Sequence, residues 1–145
     1  MENKKGWWLF SLSGTTTIRP FRIGDLKVAE SLKKNQDFQK VYRNGKSYAN
    51  KYLVMYVLEN DLQKNRIGVS VSKKVGNSVV RHRIARLLRE SFRLNDEKFH
   101  SGWDMVVVAR MGAKGKNYSD IESAFLHLAK LHGIYKNEAV NDSIN

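Results

Sequence analysis

Residues 73–93 read KKVGNSVVRHRIARLLRESFR. The stretch holds seven arginines and lysines against one acid, Glu90, and its apolar residues Val79, Val80, Ile84, Leu87, Leu88 and Phe92 recur at close to helical spacing. With Val80 set at 0° and about 100° per residue, Ile84, Leu87, Leu88 and Ser91 fall between roughly −20° and +80°, with Phe92 near 120°. His82, Arg86, Arg89 and Arg93 fall between roughly 180° and 240°, and Arg81 and Arg83 flank the apolar stripe. The pattern predicts a helix over about 78–94 with two working faces. One buries against a neighbouring layer, and the other presents cations about one turn apart.

The flanking segments supply that layer. RIGVSVS (66–72) alternates, with Ile67, Val69 and Val71 on one face. Gly68, Ser70 and Ser72 lie on the other, leaving it open to a close ligand or a packed backbone. KSYANKYLVMYVLEN (46–60) reads as one strand, with Tyr52, Val54, Tyr56 and Leu58 opposite Leu53, Met55 and Val57. SLKKNQDFQKVYRNG (31–45) places Phe38, Val41 and Tyr42 at i, i+3 and i+4, a short helix with Asn35 as N-cap and Gly45 closing it. WDMVVVARM (103–111) is an apolar run expected to be a buried strand, and GAKGKN after it is a loop. Tyr118 to Gly133 forms the last helix, with Ser119 as N-cap and Ile121, Ala124, Phe125, Leu128 and Leu131 facing inward.

Helix, strands, helix, strand, helix is an α/β (α+β) sandwich, a small central sheet with helices packed on it. The organisation expected is one domain over 28–135, an atypical and poorly ordered extension over 1–27 in which Trp7 and Trp8 could pack, and a fraying polar tail over 136–145. The extension also raises the expectation that translation begins nearer Leu26 or Val28.

The chain of 145 residues carries 26 Lys and Arg against 14 Asp and Glu, a formal net charge of +12. Residues 66–93 hold eight of those cations and one glutamate. A charge run is commonly a solvated face, but concentration in one element points to a polyanionic partner. Guanidinium forks grip phosphate oxygens bidentately, which suits the five arginines of residues 81–93. The Lys73–Ser78 link adds two lysines beside the free N–H groups of a helix start.

Other classes fit less well. There are no cysteines, which excludes disulfides and thiolate chemistry. No apolar run approaches a membrane span, and the apolar part of MENKKGWWLFSLSG is short for a signal peptide, so a cytoplasmic protein is expected. Membrane-surface binding would want bulky apolar anchors on the rim of the basic helix, where only Phe92 stands. A DNA-reading helix-turn-helix would want a preceding short helix rather than a strand. Gly76 does not belong to a phosphate-loop motif, since GxxxxGK[ST] is absent. Asp37, Glu59, Asp61, Glu90, Asp96, Glu97 and Asp104 form no DxD motif, His100 falls in a loop, and His127 and His132 are five apart. No catalytic or metal-ligating residue is assigned, and the polypeptide itself is expected to carry no chemistry.

The lysine pair, Gly-Asn, a basic triplet at 81–83 and spaced arginines ending in Arg-Glu-x-Phe resemble the signature of the bacterial ribonuclease P protein family. The likeness extends through LKKNQDFQKVYRNGKS, RIGVSVSKK and DMVVVAR, and covers about residues 31–135. It implies a ribosomal protein S5 domain 2-like fold with a left-handed βαβ crossover. It also implies a ribonucleoprotein whose RNA subunit removes the 5′ leader of precursor tRNA with Mg²⁺, the protein binding that RNA and the leader and raising metal affinity. On this resemblance Lys73, Lys74, Asn77, Arg81, His82, Arg83, Arg86 and Arg89 fall at positions contacting the RNA subunit. Phe38, Tyr42, Val54 and Tyr56 fall in the leader cleft, where aromatic faces beside a basic groove would hold a single strand. His82 departs from the family's asparagine and could make that contact weakly pH-dependent. The rivals are a ribosomal or RNA-chaperone protein of similar fold and a nuclease active without RNA.

Overall fold

The computed structural model describes residues 30–136. The elements in order are β1 (Glu30–Ser31), α1 (Asn35–Asn44), β2 (Lys46–Ala49), β3 (Leu53–Glu59), β4 (Arg66–Ser70), α2 (Ser78–Asn95), β5 (Trp103–Ala109) and α3 (Tyr118–Leu131), with 3₁₀ turns at Asp96–Lys98 and Met111–Ala113. Expectations about Trp7, Trp8, the start of translation and the tail beyond Lys136 fall outside the described residues.

The 73–93 stretch forms its helix as its spacing requires. Asn77 caps α2, its side-chain oxygen accepting from the Val80 amide at 3.0 Å. Ile84, Leu88, Ser91 and Phe92 are buried, and Val80 and Leu87 pack half-buried beside them. Ser91 tolerates the core because its hydroxyl donates to the Leu87 carbonyl at 2.8 Å. Val79 does not join the stripe and is 75% exposed.

The strands form one sheet in the order β1-β4-β5-β3-β2. β4 and β5 are parallel neighbours, Arg66 opposite Asp104 and Gly68 opposite Val106, and the chain crosses between them through α2. β3 lies antiparallel to β5, with Tyr56 opposite Val106 and Val54 opposite Val108. The strand expected over 46–60 is instead a hairpin. The Asn50 side-chain oxygen accepts from the Tyr52 and Leu53 amides at 3.1 and 3.0 Å, turning the chain so that β2 pairs back on β3. β1, too short to show a period, adds a parallel edge beside β4. β4 and β5 each end two residues earlier than expected, at Ser70 and Ala109.

Alternation divides the core. Leu53, Met55, Val57, Ile67, Met105 and Val107 bury under α2 and α3. Val106 buries on the opposite face with Leu32 and Val41, flanked by Phe38, Tyr42, Tyr56, Leu58 and Val108 under α1. The sheet is therefore covered on both faces, with α1 the one described helix on one of them.

Three helix boundaries differ from expectation. α1 has Lys34, not Asn35, at its N-cap, with no side-chain bond, and Gly45 closes it at a φ of −82°, ordinary extended backbone. Glycine is needed at 45 for space, since a Cβ there would lie 2.6 Å from the Val41 oxygen and 2.8 Å from that of Val57. α3 starts from Asn117 rather than Ser119, through a capping box with Asp120. It ends in a Schellman motif, Gly133 at a φ of +75° with its amide bonded to Lys130 and the Ile134 amide bonded to Ala129. Ala129 takes the core position expected of Leu131, which is 46% exposed.

Candidate nucleic-acid interface

Beyond β4 the chain runs through exposed Lys73 and Lys74 to Val75, which is buried and pins the link to the core. The lysines on this link project while its backbone is fixed. Asn77, expected to contact RNA, is exposed, and its side-chain oxygen serves the cap of α2.

His82, Arg83, Arg86 and Arg89 are exposed along α2. Arg83 also donates to the Lys116 carbonyl at 2.9 Å, tying α2 to the loop before α3. Arg81 is half-buried at the stripe's edge, and its Nε is buried without a hydrogen-bond acceptor. Burial lowers the pKa of Arg86, with Glu90 opposing, and burial likewise lowers that of Arg89. Arg89 keeps exposed surface, so the lowering reflects protein around the side chain rather than a sealed guanidinium, and both groups stay cationic.

Two arginines of the sequence run belong elsewhere. Arg93 pairs with Glu90 one turn back. Arg66 makes a bidentate pair with Asp104, Nε to Oδ1 at 2.8 Å and Nη2 to Oδ2 at 2.6 Å, and Asn60 donates to the same carboxylate. Those hydrogen bonds raise the Arg66 pKa against the opposing effect of burial. The cation excess therefore narrows to Lys73–Arg89.

On the sheet's other face, α1 sets three residues over three strands. Phe38 lies on Gly68 of β4, Val41 joins Val106 of β5, and Tyr42 meets Tyr56 of β3 edge-on at 4.9 Å between ring centroids. Phe38 and Tyr42 are tilted at 6.5 Å. All three residues are half-buried. Val54 continues the same sheet face in the next row, beside Val108 and outside the cluster under α1. The structure thus groups Phe38, Tyr42 and Tyr56, with Val54 as adjoining floor. It keeps this group apart from the arginine row, with the sheet between them and Lys73–Lys74 leading from β4 toward α2.

The sequence reading missed a basic depression beside that link, lined by Lys51, Lys74, Arg110, Met111 and Gly112 among others. Arg110 is held there by donating to the Asn50 carbonyl at 2.7 Å, and Lys116 stands 5.3 Å from the centre of the Tyr52 ring. The signal was the basic run in ARMGAKGK, hidden by reading it only as a loop.

Among the described residues, no three or more of His, Cys, Asp and Glu gather to hold a metal ion. No described helix is long and apolar enough to cross a membrane.

Residues 26–132 match the family model described as Ribonuclease P. The chain is 69% identical over 107 residues to the ribonuclease P protein component of Lachnoclostridium phytofermentans, covering 74% of this chain and 92% of that one. It is 48% identical over 107 residues to the component from Clostridioides difficile, covering 73% and 94%. Among solved structures, the Staphylococcus aureus RNase P protein superposes with a TM-score of 0.69 at 37% identity, covering 74% of this chain and 98% of that one. The Thermotoga maritima RNase P protein gives 0.65 at 29%, covering 70% and 96%.

Proposed function

The chain belongs to the ribonuclease P protein family, and from that premise we propose that it binds the catalytic RNA of the ribonucleoprotein through Lys73–Arg89 and the 5′ leader of precursor tRNA through the cleft under α1. As a protein component of ribonuclease P it is one part of an endoribonuclease ribonucleoprotein with an RNA partner. In this reading the RNA subunit performs the hydrolysis in the cytoplasm, and the polypeptide positions the substrate.

The observation that carries the reading is the pairing of two unlike surfaces. A row of guanidinium groups suits phosphates, and three half-buried aromatic residues suit unstacked bases with little sequence preference. In the same reading Mg²⁺ is held mainly by the RNA subunit and RNA phosphates, whose oxygens suit a hard cation. The protein's contribution to metal affinity is then indirect, holding RNA phosphates where the ion binds.

Reconstitution tests this. The full chain is mixed with a bacterial ribonuclease P RNA and precursor tRNA at low Mg²⁺. Stimulated 5′ cleavage is expected. No stimulation overturns the proposal, and cleavage without added RNA subunit would make the polypeptide a nuclease in its own right.

A further inference from the structure

We infer that Gly68 is a positioning residue for the aromatic cleft. The missing side chain at this point of β4 is what allows the Cε1–Cζ edge of the Phe38 ring to come close enough to the sheet to leave the cleft open. The inference rests on the reading of that cleft as the leader site.

Glycine inside a strand gives up packing and backbone restriction, so its presence calls for a local reason. Backbone conformation is not that reason, because among the described residues only Gly102, Gly115 and Gly133 take a positive φ. Space is the reason. A Cβ on Gly68 would stand 2.7 Å from both Cε1 and Cζ of Phe38 and 3.3 Å from the Leu32 Cβ. Separations below about 3 Å between carbons are strongly repulsive, so one neighbour must yield.

The strand is held on both sides, by β1 through Ser31 opposite Ile67 and by β5 through Gly68 opposite Val106. Leu32 is buried and its amide is bonded to the Ile67 carbonyl at 2.8 Å. Phe38 is half-buried and ends in a ring that can turn about two side-chain bonds. It is the group that moves. Leaving the sheet, it loses its present relation to Tyr42 and swings along the same sheet face toward the next row, where Val54 lies opposite Val108. A methyl group under the ring therefore closes the cleft from inside without touching the arginine row on the far side of the sheet.

The test uses holoenzyme reconstituted from the full chain and a bacterial ribonuclease P RNA. The readout is the ratio of affinities for precursor tRNA with its leader and the same tRNA without it, with affinity for the RNA subunit measured alongside. Gly68→Ala should lower the ratio about tenfold and leave RNA-subunit affinity within about twofold. In a Gly68→Ala, Phe38→Leu double variant the shorter side chain clears the new methyl, so its ratio should equal that of Phe38→Leu alone. An unchanged ratio in Gly68→Ala, or a double variant that falls below Phe38→Leu, overturns the inference. If Gly68→Ala does not fold, the comparison of the double variant with Phe38→Leu decides. Phe38→Ala separates the two ideas. Should it leave the ratio intact, the leader-cleft reading fails and takes this inference with it. Should it lower the ratio while Gly68→Ala does not, only the role of Gly68 is lost.

Discussion

At the C-terminal end of α3, His132 holds its Nε2 2.9 Å from the Met55 carbonyl. A carbonyl can only accept, so Nε2 carries the hydrogen and donates it. The Tyr48 ring stands edge-on to the imidazole at 4.8 Å. Burial lowers the His132 pKa, the Met55 bond opposes that lowering, and nearby Lys46 adds to it. In the unfolded chain histidine titrates near about 6.5 and takes up its proton first as pH falls. The stability due to neutral His132 is therefore full above that value and is lost as pH falls from there through the folded pKa. His132→Gln keeps a donor for Met55 but does not titrate. Between about pH 7 and 5 its melting temperature should fall less than that of the parent protein. Equal falls in thermal melts would show that this histidine does not couple protonation to folding. Sequence could not reveal the contact, because its partner lies 77 positions away. Arg66 was obscured in the same way: it counted as a free cation until the parallel register brought Asp104 opposite it.

Between elements, α2 and α3 are joined by more than apolar packing. The Asn95 amide, 2% exposed, donates to the Ser91 carbonyl at 2.7 Å and to Glu122 Oε2 at 2.9 Å. The Tyr118 hydroxyl donates to the same oxygen at 2.8 Å, and burial followed by Glu122 raises the tyrosine pKa, keeping the proton in place. Removing the carboxylate leaves two donors without their acceptor at the seam. Glu122→Ala should destabilise the fold by about 1–3 kcal/mol, and Glu122→Gln by less, since its amide oxygen still accepts. Urea unfolding measures both, and an unshifted midpoint for Glu122→Ala would show that these bonds do not hold the helices together. Periodicity located α1, α2, α3, β3, β4 and β5 because each buries one face or runs through the core. It did not locate the β2–β3 turn, the Asn117 cap or the end of α3. Those depend on pairs of local hydrogen bonds, around Asn50, Asn117 and Gly133, which leave little trace in a hydrophobic pattern.

Across the whole molecule, acids near the Arg66 end of the sheet neutralise local cations: Asp104 takes Arg66, and Glu30 takes Lys64 at 3.2 Å. Glu90 takes Arg93 further along α2. Much of the +12 charge is thereby concentrated in effect on the Lys73–Arg89 segment, on the opposite side of the sheet from the aromatic cleft. Sequence showed both surfaces but not their separation, which depends on the helices packing on different faces. That separation has a measurable consequence. A side chain that neutralises one phosphate contributes about one counterion to the salt dependence of binding, whereas an aromatic ring contributes none. In titrations of the RNA subunit at increasing KCl, Arg89→Ala should weaken affinity and reduce the slope of log K against log salt by about 1. Tyr42→Ala should leave that slope unchanged and act only on leader-dependent substrate affinity. Because the two residues share no partner, the double variant should show the sum of the single effects to within about 0.5 kcal/mol. A slope unaltered by Arg89→Ala would remove that arginine from the phosphate-binding row. Strong coupling between the two positions would mean that one RNA segment spans both faces of the sheet.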